Sequence, residues 1–152
     1  MPHVLISRKR CTGCHLCEYA CSAHHEGAYQ PSLARLRVEV NPTTTAIKGA
    51  TCLQTTCHKC QDACPRGAIY EEAGVLLVNE AECDACVDLA TGPACVAACP
   101  YAVIAIHPVS GKAFKCDLCW GSEPQCVAFC QNPAVLAVTL KADKADVAAE
   151  TD

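Results

Sequence analysis

Apolar residues along this chain fall in strand-sized runs punctuated by proline, glycine and cysteine. Leu36, Val38 and Val40 alternate with Arg35, Arg37 and Glu39, the period of a half-buried strand. Ala68-Ile69-Tyr70 and Val75 to Val78 flank Glu71-Glu72-Ala73-Gly74 and read as a hairpin. A second hairpin is predicted between Val103 to Ile106 and Ala113-Phe114-Lys115, turning through His107 to Lys112. Val4 to Ser7 and Val135 to Thr139 are brief apolar runs near the two ends. Helices should be short, lie beside recurring C-x3-C steps, and be stopped or redirected at Pro65 and Pro100. Lys141 to Asp152 alternates charge with alanine, offers neither cap nor core residue, and is expected to be mobile. The pattern predicts an α+β fold. No run is long enough to span a bilayer, so membrane contact would need a separate anchor subunit.

Composition changes this picture. Only two Phe, one Trp, four Tyr and one Met are present among 152 residues, whereas cysteine occurs sixteen times. The cysteines form four quartets: Cys11, Cys14, Cys17 and Cys21; Cys52, Cys57, Cys60 and Cys64; Cys83, Cys86, Cys95 and Cys99; Cys116, Cys119, Cys126 and Cys130. Each quartet ends in C-x3-C.

Three chemistries compete for so many thiols. A disulfide scaffold belongs to small exported domains, but Met1 to Arg10 has no apolar signal-peptide segment, and Arg8, Lys9 and Arg10 run straight into Cys11. Zinc sites combine separated pairs, whereas Cys11, Cys14 and Cys17 pack three thiols into seven residues. Cubane iron–sulfur clusters fit best. The first quartet has the spacing of the bacterial ferredoxin run, and Pro65 and Pro100 follow Cys64 and Cys99 as that run requires. Four [4Fe-4S] clusters would use every cysteine, leaving no free thiol nucleophile.

The formal net charge of −4 counts cysteine as neutral. With sixteen thiolates and four oxidised cores the holoprotein carries roughly −12, which argues against nucleic acid as a partner. No dinucleotide or phosphate loop is present, and no Ser/His/Asp arrangement can be assigned. His15, His58, His24 and His25 lie in or beside the cluster loops, but sixteen cysteines already complete four sets, so these histidines are expected to serve as loop or interface residues. Trp120 is expected to pack ordinarily beside Cys119.

CTGCHLCEYACSAHHEGAYQPSLARLRV, from Cys11 to Val38, resembles the opening of multi-cluster ferredoxin-type electron-transfer subunits, and KCDLCWGSEPQCVAFC, from Lys115 to Cys130, resembles their fourth motif. The likeness spans about residues 3 to 140 and is similar to the iron–sulfur subunit family of dimethyl sulfoxide reductase. Within that group the chain looks most like the small subunit of tungsten aldehyde oxidoreductases. The resemblance implies duplicated bacterial-type ferredoxin modules in which three cysteines of one motif are completed by the fourth of another. Cys11, Cys14 and Cys17 would take Cys130; Cys116, Cys119 and Cys126 would take Cys21; Cys52, Cys57 and Cys60 would take Cys99; Cys83, Cys86 and Cys95 would take Cys64. Residues 50–104 would then form an inner module, and 1–49 with 105–140 an outer one.

Departures from the family pattern touch spacing only. Cys52-x4-Cys57-x2-Cys60 also matches plant-type two-iron spacing, although Cys64-Pro65 favours four iron atoms. The eight residues between Cys86 and Cys95 predict a loop through Thr91-Gly92-Pro93, and Gln131 replaces the proline that often follows the last cysteine.

The expected function is electron relay between a large molybdenum- or tungsten-type catalytic subunit and a further redox subunit or acceptor, in a cytoplasm poor in oxygen. A freely diffusing polyferredoxin is the alternative. An enzyme with an open iron site is disfavoured because no set lacks its fourth thiolate. With so few large apolar residues, cluster binding and folding should be one process. Chelating the iron is therefore expected to leave a largely unfolded chain, and circular dichroism that stays native-like would contradict this.

Overall fold

The computed structural model describes residues 2–131 and, as backbone, 138–141. Among the described residues short strands pair antiparallel in four two-stranded ribbons. β1 (His3–Ile6) pairs with β8 (Val138–Lys141), placing His3 opposite Lys141. β2 (Arg37–Val40) pairs with β3 (Ile47–Ala50), β4 (Ile69–Glu72) with β5 (Val75–Val78), and β6 (Ala105–Ile106) with β7 (Ala113–Phe114). Among the described residues four α-helices complete the frame: α1 (Leu16–Glu26), α2 (Lys59–Ala63), α3 (Ala94–Ala98) and α4 (Gln125–Ala128). α1 packs on α4 and α2 on α3.

The two expected hairpins form, the second with a shorter first strand than the run from Val103 predicts. In the β4–β5 turn Ala73 and Gly74 both have positive φ, 48° and 80°. That is the hairpin geometry whose twist matches the strands, and glycine adopts it without steric cost. β3 carries only Ile47 as a large apolar residue and contains Gly49, so it shows no alternation to read. The last strand lies further along than expected, and Val135 to Ala137 fall outside the described residues, as does the tail after Lys141. At eleven residues, α1 is longer than a C-x3-C step demands.

Buried residues gather in two apolar clusters. One joins Val4, Ile6, Leu36, Val38 and Leu118 with Cys17, Cys21 and Cys126. The other joins Ala68, Ile69, Ile104 and Ala113 with Cys83 and Cys95. β5 serves both: Val75 and Leu77 enter the first and Leu76 the second. Successive side chains of a strand point to opposite faces, so Val75 to Val78 is apolar throughout because both its faces are covered. Among the described residues no helix is long and apolar enough to cross a membrane.

Gly49 lets β3 lie against β1. A Cβ there would stand 2.6 Å from Ile6 Cβ and 2.7 Å from Ile6 Cγ2. Gly49→Ala should therefore cost about 1–3 kcal/mol through overpacking, seen as an earlier loss of visible cluster absorbance on heating.

Candidate metal centres

Each cysteine quartet is a loop leading to a helix, and two kinds of loop occur. In the first and second quartets a histidine follows the second cysteine and adopts the left-handed region, His15 at φ 60° and His58 at φ 52°. Histidine is among the side chains enriched there. It starts the helix that carries the third cysteine, and its Nδ1 reaches the residue three positions on: Glu18 Oε2 at 2.5 Å and Gln61 Oε1 at 3.2 Å. In the third and fourth quartets an aspartate follows the first cysteine. Asp84 Oδ1 accepts the Cys86 N–H at 2.9 Å and Asp117 Oδ1 the Cys119 N–H at 3.0 Å. The two residues after each aspartate are left-handed, with φ between 54° and 57°.

Backbone N–H groups from loops and from β7 point at sulfur. Sγ of Cys11 accepts from Gly13 N at 3.5 Å, Cys21 from Arg35 N at 3.2 Å, Cys52 from Gln54 N at 3.4 Å, Cys83 from Ala113 N at 3.3 Å, and Cys119 from Gln125 N at 3.4 Å. Cys64 and Cys99 terminate α2 and α3 in extended conformations with ψ of 110° and 111°. Each stands before a proline that cannot continue the helix, so the last sulfur leaves its own loop.

The sulfurs meet across quartets. Cys52, Cys57, Cys60 and Cys99 wall one cavity with Gln54, Leu76, Tyr101 and Lys115. Cys21, Cys116, Cys119 and Cys126 wall another with His25, Arg35, Leu36 and Leu118. Cys64 lies near Cys95 together with Cys83 and Cys86, close enough that all three act electrostatically on it. Cys11 and Cys14 act in the same way on Cys17, and Cys130 packs with Cys11 against the apolar cluster that includes Cys17. Neighbouring sets also lie within electrostatic reach of one another: Cys17 influences Cys126, and Cys52 influences Cys116.

Burial dominates the acid–base state of the free thiols. It pushes Cys17 and Cys116 up to about 12 and Cys21, Cys60 and Cys95 up to about 11. Such thiols stay protonated at neutral pH unless a metal displaces the proton, because the thiolate is the form that binds metal. Iron therefore fits this donor set: soft sulfurs in fours, low in solvent, with N–H groups already aimed at them. Cys21 and Cys119 lie near a cation–anion pair, where Arg35 Nη1 donates to Asp117 Oδ2 at 2.7 Å. His25 Nε2 stands 3.4 Å from Asp117 Oδ1 and 3.9 Å from Cys119 Sγ. Desolvation and then Arg35 lower its pKa to about 4 against the opposing pull of Asp117, so the ring is neutral. His24, His25 and Cys119 bring three ligand-type atoms within 4.8 Å of one another. Trp120 is half exposed beside this site.

The aspartates and their arginines were not picked out from the sequence. Arg66, two residues past Cys64, donates from Nε to Asp84 Oδ2 at 2.9 Å and also contacts Asp88. Arg35, whose N–H holds Cys21, pairs with Asp117. Each arginine thus fastens a fourth cysteine to the loop it joins. The readable signal was a repeat, C-H-L-C and C-H-K-C against C-D-A-C and C-D-L-C.

Such a frame, paired helices and ribbons around clustered thiols, defines an iron–sulfur protein of the ferredoxin kind. Residues 43–139 match the 4Fe-4S dicluster domain, and the chain belongs to that family. It is 40% identical over 132 residues to the polyferredoxin-like subunit of an aliphatic sulfonate oxidoreductase from Pyrococcus furiosus, covering 85% of this chain and 71% of that one. It is 31% identical over 147 residues to the thiosulfate reductase electron transfer subunit PhsB of Salmonella typhi, covering 87% and 72%. A chain of the active site complex BamBC of benzoyl coenzyme A reductase has the same fold, with a TM-score of 0.51 and 22% identity over 99% of this chain and 88% of that one. The protein is thus an iron–sulfur electron-transport protein whose relatives are named as oxidoreductase subunits.

Asp117→Ala removes both the acceptor for Cys119 N–H and the partner of the partly buried Arg35. A loss of about 1–3 kcal/mol is expected, whereas Asp84→Ala at the surface should cost less. Thermal release of iron, compared between the two variants, checks the order.

Proposed function

We propose that the chain is a non-catalytic electron-transfer subunit that carries four [4Fe-4S] clusters and relays single electrons between a catalytic oxidoreductase subunit and an acceptor. The observation that carries this reading is the pair of cavities in which three thiols of one motif face the fourth thiol of another. Cys21 with Cys116, Cys119 and Cys126 would hold one cluster, and Cys99 with Cys52, Cys57 and Cys60 a second. Cys64 with Cys83, Cys86 and Cys95 would hold a third, and Cys130 with Cys11, Cys14 and Cys17 the fourth. Bound there, a [4Fe-4S] cluster supplies a one-electron couple. The chain's own residues hold the sulfurs, aim N–H groups at them and exclude water.

The electrostatic proximity of neighbouring sets, with the packing of α2 on α3, supports a linear order. It runs from the set of Cys11, through those of Cys116 and Cys52, to that of Cys83. The outer module would comprise the first two and the inner module the last two, as residues 1–49 with 105–140 and 50–104. Cys14 is exposed at one end of the order. His25 then acts as a hydrogen-bond donor beside Cys119, a role that orients and tunes a centre without ligating it. The catalytic partner proposed is a molybdenum- or tungsten-type subunit, the tungsten aldehyde oxidoreductase kind being the one the motifs resemble; the sulfonate oxidoreductase relative supports a subunit role.

Two measurements test the reading. Iron and sulfide analysis with electron paramagnetic resonance (EPR) should count four cubane clusters in protein that copurifies with a larger metalloenzyme subunit. Cys21→Ser should perturb the signal of the Cys116, Cys119 and Cys126 set and spare that of Cys11, Cys14 and Cys17; the reverse pattern would refute the pairing.

A further inference from the structure

Lys115 is only 3% exposed. Its ammonium donates to the Leu76 carbonyl at 2.5 Å, the Cys116 carbonyl at 2.7 Å and Gln54 Oε1 at 3.3 Å. All three acceptors are neutral, and no carboxylate pairs with it among the described residues. A buried charge held this way is expensive unless something nearby compensates it.

What lies nearby is sulfur from two different sets. Lys115 lines the cavity of Cys52, Cys57, Cys60 and Cys99. It also adjoins Cys116 of the other cavity in sequence and through that residue's carbonyl. Burial raises the pKa of Cys52, Cys60 and Cys116, and in each case the ammonium opposes the rise.

Gln54 seats the ammonium. Fully buried, it donates from Nε2 to the Cys116 carbonyl at 2.9 Å, accepts the Leu76 N–H at Oε1 at 3.2 Å, and aims its own N–H at Cys52 Sγ at 3.4 Å. Its backbone is left-handed, with a φ of +50°. One residue thus bonds to groups of both cysteine sets, by its side-chain amide and its backbone N–H, and holds the ammonium at their border.

We propose that Lys115, positioned by Gln54, raises the reduction potentials of the two middle clusters together, those of the Cys21/Cys116/Cys119/Cys126 and Cys52/Cys57/Cys60/Cys99 sets, and so eases electron passage between the modules. This rests on the four-cluster reading above. Reduction adds negative charge to a cluster, and a cation a few ångströms away in a poorly screened interior favours the reduced state. Neutralising the cation should lower both middle potentials and leave the outer two in place. A purely structural strut would be satisfied by any donor to the Leu76 and Cys116 carbonyls.

The test is an EPR-monitored redox titration of whole holoprotein, with the middle signals assigned through Cys21→Ser and Cys99→Ser. In Lys115→Gln and Lys115→Met the reduction equilibrium of both middle clusters should fall by about tenfold or more, about 59 mV for a one-electron couple, while Lys115→Arg should stay near the wild type. If Lys115→Gln retains its iron and leaves the middle potentials unmoved, or if all four potentials shift alike, the proposal is overturned. Should the Lys115 variants lose iron, Gln54→Glu leaves the lysine and its carbonyl bonds in place and makes the border neutral. The same two potentials should then fall, and no shift would overturn the assignment. Wild-type holoprotein with fewer than four cluster signals overturns the four-cluster reading itself, before any variant is compared.

Discussion

Negative sulfur inside a protein is the constraint around which this chain is organised. A thiolate in an apolar interior is unstable, and burial, with neighbouring negative groups, pushes Cys17 and Cys116 up to about 12. Bringing sulfurs together in fours compounds the problem, since each repels its neighbours. Three devices in the structure answer it: backbone N–H groups aimed at sulfur, the buried ammonium of Lys115, and a donor geometry suited to iron. With few large side chains available, the apolar clusters are built partly from cysteine itself. Metal binding and packing therefore act on the same residues.

The second organising feature is how the fourth sulfur leaves its motif. α2 and α3 stop at Cys64 and Cys99 because proline follows, and the cysteine turns into extended backbone instead of adding another helical turn. The sulfur is then free to enter the neighbouring loop. Arg66 and Arg35 tie that exchange down through Asp84 and Asp117. Packing of α1 on α4 and of α2 on α3 brings a histidine loop beside an aspartate loop in each case. β5 then joins the two pairs, giving Val75 and Leu77 to one side and Leu76 to the other.

Much of this was legible in the residues. The β4–β5 hairpin followed from a continuous apolar run beside Ala73-Gly74, and the helix stops followed from two prolines. The grouping of sixteen cysteines carried the chemistry, because ligand spacing is a local property of the chain. β3 was not legible: Gly49 and a single isoleucine give no alternation, and the reason for glycine there lies in Ile6 of distant β1, which leaves no room for a Cβ. Nor were the Asp–Arg ties, since Arg35 and Asp117 are 82 positions apart and each alone reads as a surface charge.

By itself, then, the sequence determined the donor chemistry: which residues offer sulfur, in what local groups, and where each helix must end. Those properties depend on backbone stereochemistry and spacing over a few residues. Only the tertiary structure decided which sulfur faces which loop, and that Lys115, an unremarkable basic residue in the chain, stands as a buried charge between two sets of cysteines. Pairings of that kind arise from the docking of α1 on α4 and α2 on α3 across long stretches of chain. The energy of a charge depends on everything packed around it, which no local pattern records.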